Sequence, residues 1–114
     1  MDTQPLLVLT TVPDVSLADA IARRLVDERC AACVTIGGPV RSLYHWRGKT
    51  ETAEEVPMTI KTTTGRYSLV ERLIRELHPY ELPEIIQVPV SGGLQPYLDW
   101  IVSETERSND ATIA

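Results

Sequence analysis

Two stretches of helical period flank one long extended run, and that order restricts the fold more than any other feature of the chain. From Leu17 the apolar residues recur so that Leu17, Ala18, Ile21, Ala22, Leu25 and Val26 share one face, with Asp19, Arg23 and Asp27 opposite. Ser16 is the expected N-cap, with Asp19 as its capping-box partner, and the helix is expected to end near Arg29-Cys30. A second helix follows Gly65. It turns Leu69, Val70, Leu73, Ile74 and Leu77 inward and Glu71, Arg72, Arg75 and Glu76 outward. It must stop at His78, because Pro79 disfavours the α conformation in the residue before it.

The run between these helices is extended. "AACVTI" (31–36) reads as a strand that meets Gly37-Gly38-Pro39, a turn or bulge signal. "VRSLYHW" continues extended, with Ser42, Tyr44 and Trp46 on one face. After a turn at Arg47-Gly48-Lys49 the chain returns as "ETAEEVPMTIKTT". This puts Val56, Met58 and Ile60 on one face and Glu55, Thr59 and Lys61 on the other. Pro57 cannot donate to a ladder, so it implies an edge or a bulge there. "PLLVLTTV" (5–12) opens the pattern as a buried strand and "EIIQVPV" (84–90) closes it as another. Pro96 suits the first turn of a third helix that carries Tyr97, Leu98, Ile101 and Val102 inward.

The order is β-α-β-β-α-β with a trailing helix. It predicts an α+β fold, a ferredoxin-like split βαβ sandwich with a long central hairpin. The helices cover one face of a mainly antiparallel sheet. Tyr44 and Trp46, on a hairpin too long for so small a domain, call for another subunit to cover the second face. The 114 residues suit one domain, with its core over 5–106 and a polar tail over 107–114.

Charge narrows the partners. Sixteen acidic residues against eleven basic ones give a net charge of -5, and no basic stripe appears. Neither nucleic acid nor an anionic membrane surface is an expected partner. The N-terminus lacks a basic region, and Leu6–Leu9 is too short an apolar run for a signal or a span, so a cytoplasmic location is expected. The cysteines Cys30 and Cys33 stand at the end of a helix, the wrong end of the dipole for a redox thiolate. No second CxxC completes a zinc knuckle. Structural thiols are expected, with soft-metal binding by Cys33 as the alternative.

The residues that invite chemistry lie in "LHPYELPE" (77–84). A histidine at a helix C-terminus is stabilised by the dipole, and Pro79 ends the helix, so the segment has a structural reading. Pro79 and Pro83 also rigidify a loop that carries an imidazole, a phenol and two carboxylates, which suits a preorganised metal or small-ligand site. Imidazole with carboxylate fits Cu(II), Zn or Ni better than Ca. Lys49, Glu55 and Lys61 along the hairpin read either as a solvated face or as an aid to anion binding. No nucleophile elbow, phosphate loop, HExxH or paired-carboxylate signature is present, so no enzyme is expected.

The strings "SLYHWRGK", "EEVPMTIKTT", "HPYELPEI" and "YLDWI", with "LLVLTTVPD" and "LVDERCAACVTI" before them, together resemble the CutA family of divalent-cation tolerance proteins over residues 6 to 102. The resemblance implies a homotrimer whose long hairpins pair between subunits. It also implies a role in tolerance to divalent metals, with copper the ion expected. His78 is then the principal metal ligand, followed by Glu81 and Glu84, and Cys33 the remaining sulfur donor. Trp46, Lys49, Glu55, Lys61 and Tyr80 match the family's motifs and line an intersubunit cleft. Some family members carry a cysteine where this chain has Thr10, which weakens a thiolate-based copper site. The alternative reading is a trimeric regulatory module similar to PII-type signalling proteins. It would bind a small anion or a partner in the cleft, with charge from Lys49 and Lys61.

Overall fold

The computed structural model describes residues 2–106; the polar tail expected over 107–114 lies outside them. The elements run β1 (Pro5–Val12), α1 (Val15–Asp27), β2 (Cys33–Ile36), β3 (Val40–Trp46), β4 (Lys49–Thr63), a single 3₁₀ turn (Thr64–Arg66), α2 (Tyr67–Leu77), β5 (Ile86–Pro89) and α3 (Gln95–Glu104). The sheet order is β2-β4-β1-β5, with β3 paired along the remainder of β4, and every pairing is antiparallel. This is the split βαβ order expected from the sequence, with α+β character.

One face of the sheet carries the core. β1 alternates half-buried and buried residues along its whole length. Its Val8 and Val12 join Val56, Met58 and Ile60 of β4 beneath Ala18, Ile21 and Leu25 of α1 and Val70, Leu73 and Ile74 of α2. Ile21, Leu25, Ile60 and Ile74 are 0% exposed, and each such side chain contributes roughly 1.5–3 kcal/mol by leaving water. Val26, expected on the inward face of α1, is exposed instead.

The ends of α1 differ from expectation at the front and agree at the back. Asp14, not Ser16, is the N-cap: its backbone is extended and its Oδ1 accepts from the Leu17 N–H at 2.8 Å. A charged acceptor two residues upstream outcompetes a hydroxyl for the helix's free N–H groups. At the C-terminus, Arg29 adopts φ +57, Arg29 N–H donates to Val26 O and Cys30 N–H to Leu25 O. That is a Schellman closure with an arginine in the left-handed position usually held by glycine. It drives Cys30 into the core, where burial pushes its thiol up. Cys30 and Cys33 are both free.

Pro57 lies inside the sheet, so of the edge and the bulge expected there the edge is excluded. It faces Thr11 of β1, and its carbonyl accepts from Gly37 N–H on the other side. Along a strand the N–H and C=O of one residue point the same way, so the missing donor faces Gly37 and costs β1 nothing. There the register slips: Ile36 faces Met58 but Val40 faces Glu55, leaving Gly37–Pro39 opposite only Val56 and Pro57. The expected bulge is therefore present, and it makes β2 and β3 one strand with a kink.

Beyond that kink the hairpin projects. β1 stops at Val12, opposite Val56, so β4 from Lys49 to Glu55 has β3 as its ladder partner. Arg47 and Gly48 take φ +52 and +81 between paired Trp46 and Lys49, the two-residue turn that matches strand twist. The molecule measures 49 × 31 × 23 Å as a result. α3 packs on the second face. Of its four expected inward residues Ile101 is buried, Leu98 and Val102 are half-buried, and Tyr97 is exposed. Among the described residues no helix is long and apolar enough to cross a membrane.

Candidate functional site

Opposed residues in an antiparallel pair share a face. The β3–β4 register therefore puts Ser42, Tyr44 and Trp46 on the same side as Glu55, which faces Val40 across the ladder. The segment after α2 crosses this side. Its course is set by His78, whose backbone leaves helical values (φ -79, ψ 130) as Pro79 requires. The turn brings Tyr80 to Glu84 over the hairpin and closes a groove of about 650 Å³. Thr11, Ser42, Tyr44, His45, Trp46, Glu55, Tyr80, Glu81 and Glu84 line it together with Leu43 and Leu82.

Glu55 forms the floor. Of the two readings open for it, a solvated face and a cleft lining, the structure favours the second: it is 6% exposed, because the 79–84 segment covers it. The Tyr80 phenol is pushed up by burial first, then by the charge of Glu55 and hydrogen bonding to it, with a further contribution from Tyr44. At the rim, Arg47 Nη2 lies 2.9 Å from Glu81 Oε1, and the Arg47 guanidinium stands 5.3 Å from the Trp46 ring centroid.

His78 is buried beside the groove, with both ring nitrogens engaged. Nε2 lies 2.7 Å from the Thr11 carbonyl, and Nδ1 accepts from Tyr80 N–H at 3.2 Å. The imidazole packs on Tyr80 at 4.6 Å between centroids. Joining a metal would require surrendering one of these bonds. Among the described residues no three His, Cys, Asp or Glu side chains stand close enough to hold an ion within one chain.

The structure sorts the remaining expected residues. Trp46, Glu55, Tyr80, Glu81 and Glu84 converge on the groove. Lys49 and Lys61 do not line it. Lys61 Nζ lies 5.6 Å from the Tyr97 ring centroid on α3. The charged side chains of the lining are thus carboxylates, which favours cations over the anion of the alternative reading. Cys33 sits half-buried on β2 opposite Lys61, away from the groove. Thr10 alternates with groove-lining Thr11 and is 1% exposed on the core face, so a thiol at that position would point away from the groove. The donors present are oxygens and imidazole, which fit borderline divalent ions without sulfur. Thr11, Ser42 and His45 were not singled out as lining. Strand periodicity places Ser42 on the Tyr44 and Trp46 face and so could have signalled it, whereas Thr11 and His45 carry no such signal.

Comparison with known proteins agrees with this architecture. The family model described as CutA1 divalent ion tolerance protein matches residues 6–104. The divalent-cation tolerance protein CutA of Thermus thermophilus is 40% identical over 99 residues, 87% of this chain and 96% of its own. That of Pectobacterium atrosepticum is 42% identical over 95 residues, 83% of this chain and 86% of its own. Among solved structures, CutA1 from Shewanella sp. SIB1 superposes with a TM-score of 0.87 at 45% identity, covering 90% of this chain and 95% of that one. CutA from Xylella fastidiosa gives 0.87 at 44% identity over 90% and 99%.

Proposed function

The chain belongs to the CutA1 family of divalent ion tolerance proteins, and from that footing we propose that it acts in the tolerance of divalent cations by binding them at the hairpin groove. The observation that carries this reading is the lining: Glu55, Glu81 and Glu84, with no lysine or arginine in it among the described residues. Copper is the first ion to test, since carboxylate, phenol and imidazole donors suit it. His78 enters the ligand set only by giving up Thr11 or Tyr80, so the reading rests on the carboxylates. The family description names tolerance and no reaction, and the proposed role is non-enzymatic.

The proposed assembly is a homotrimer in the cytoplasm. The projecting two-stranded ribbon supports self-association, because such a ribbon is marginal alone. So do Leu43, Ile86 and Val88, which are all exposed in the single chain and, Leu43 apart, lie outside the groove lining. Ligands lacking within one chain would come from a neighbouring copy.

Calorimetric titration with Cu(II) and Zn(II), run on the native chain and on a Glu81→Gln/Glu84→Gln variant, tests the proposal. The variant is expected to bind about ten- to hundredfold more weakly. Unchanged affinity would remove the groove from the reading, and light scattering that gives a monomer would remove the assembly.

A further inference from the structure

The groove's lining suits a ligand that a bare metal ion does not explain. Tyr44, Trp46 and Tyr80 share the space with Glu55, Glu81 and Glu84. Carboxylates attract any cation. Aromatic faces add attraction for a cation that carries a flat or alkylated surface, and a strongly hydrated ion gains little from them. A volume of about 650 Å³ falls within the range of small-molecule pockets.

The chain itself shows which organic cation fits. Arg47 lays its guanidinium 5.3 Å from the Trp46 ring centroid while Nη2 donates to Glu81 Oε1 at 2.9 Å. One ring and one carboxylate at the rim thus already hold a guanidinium, the planar group that stacks on aromatics and forks onto carboxylates. The two side chains of that pair are 69% and 73% exposed, so water screens it and it opens readily. Deeper in, Glu55 is 6% exposed, with the Tyr80 phenol as its neighbour. Among the described residues the lining offers it no lysine or arginine.

We infer that the groove binds a guanidinium-bearing ligand, stacked among Tyr44, Trp46 and Tyr80 and paired with Glu55 and Glu81. Arg47 is the internal occupant that the ligand displaces from Glu81. The guanidinium arrives either on a free small molecule or on the arginine side chain of a peptide. The inference rests on the groove being the protein's ligand site and differs from the metal reading in the cation taken.

The test uses the full chain with Trp100→Phe, which leaves Trp46 as the sole tryptophan and so as the reporter. Butylguanidinium and a capped Gly-Arg-Gly peptide are titrated in the presence of EDTA, with butylammonium as control. A saturable change in emission is expected. Adding Arg47→Ala should tighten binding several-fold, and Glu55→Gln/Glu81→Gln should weaken it by about tenfold or more. Glu81→Gln alone, at an exposed position, gives the same direction should the buried substitution impair folding. Stronger binding of the peptide assigns the source to a protein partner, and stronger binding of butylguanidinium to a small molecule. No saturable change in the parent or in Arg47→Ala overturns the inference. So does a response that survives Glu81→Gln unchanged, or equal binding of butylammonium. Because metal is chelated throughout, failure here leaves copper binding standing, and failure to bind copper leaves this inference standing.

Discussion

His78 Nε2 lies 2.7 Å from the carbonyl oxygen of Thr11, tying the end of α2 to β1. A carbonyl only accepts, so Nε2 carries the hydrogen, and Nδ1 is free to accept from Tyr80 N–H. The neutral Nε2–H tautomer is the one that satisfies both contacts. The imidazole therefore acts as a latch that sets where Tyr80 begins its path over Glu55.

Replacing the latch separates structure from ligation. His78→Ala leaves the part-buried Thr11 carbonyl and Tyr80 N–H without their partner, at a cost of about 0.5–1.5 kcal/mol for each hydrogen bond. Urea unfolding is expected to show that loss. Copper affinity measured on the same variant then tells a latch, whose removal disturbs the groove indirectly, from a ligand, whose removal abolishes binding.

Gly37 and Pro57 are predicted to be energetically coupled. A Cβ on Gly37 would meet Pro57 Cγ at 2.9 Å, and Gly37 N–H already bonds to the Pro57 carbonyl, so neither side can retreat easily. Gly37→Ala should destabilise by about 1–3 kcal/mol through overpacking. In a double-mutant cycle, Pro57→Ala should recover much of that loss; additive effects would contradict the steric account.

Thr10 carries a cost that can be removed. Its residue is 1% exposed, and among the described residues Oγ1 has no hydrogen-bond partner. Thr10→Val keeps the shape and deletes the unpaired hydroxyl. Stability is expected to rise by about 1 kcal/mol, read as a higher denaturation midpoint at constant slope; a lower midpoint would falsify the assignment.

Tyr67 predicts a window of alkaline sensitivity. Burial, a 2.8 Å hydrogen bond from its hydroxyl to Glu71 and the charge of that carboxylate push its phenol up to about 12, from an ordinary 10.0. The folded state therefore holds this proton more tightly than the unfolded state. Its contribution to stability is fully present below pH 10 and is lost as pH rises from there through about 12. Ultraviolet titration of tyrosinate should show a late phase among the four tyrosines that Tyr67→Phe removes.

The sequence carried the element order well because that information is local. The α2 face of Val70, Leu73 and Ile74, its stop at His78, and the alternation of Val56, Met58 and Ile60 each follow from a period and a proline, and all are found in place. Caps were less legible. Asp14 and Ser16 are both competent N-caps, and the choice rests on which backbone turns extended. For Pro57 the sequence left an edge and a bulge both open, because a single strand does not reveal which neighbour its N–H would face. That became readable only from the one-residue slip between the β2 and β3 registers.

The groove divides along the same line. The residue types and the rigid turn that carries Tyr80, Glu81 and Glu84 are properties of the sequence, fixed by short-range rules of proline and helix ends. Which of them meet is decided by the sheet and the crossing segment. These bury Glu55, leave Lys49 and Lys61 outside the lining, and bind both nitrogens of His78. Local sterics act over a few neighbouring residues and can be read in order along "LHPYELPE". Burial and partner choice depend on contacts between positions far apart in the chain, such as His78 with Thr11 or Arg47 with Glu81, and only the tertiary structure brings those together.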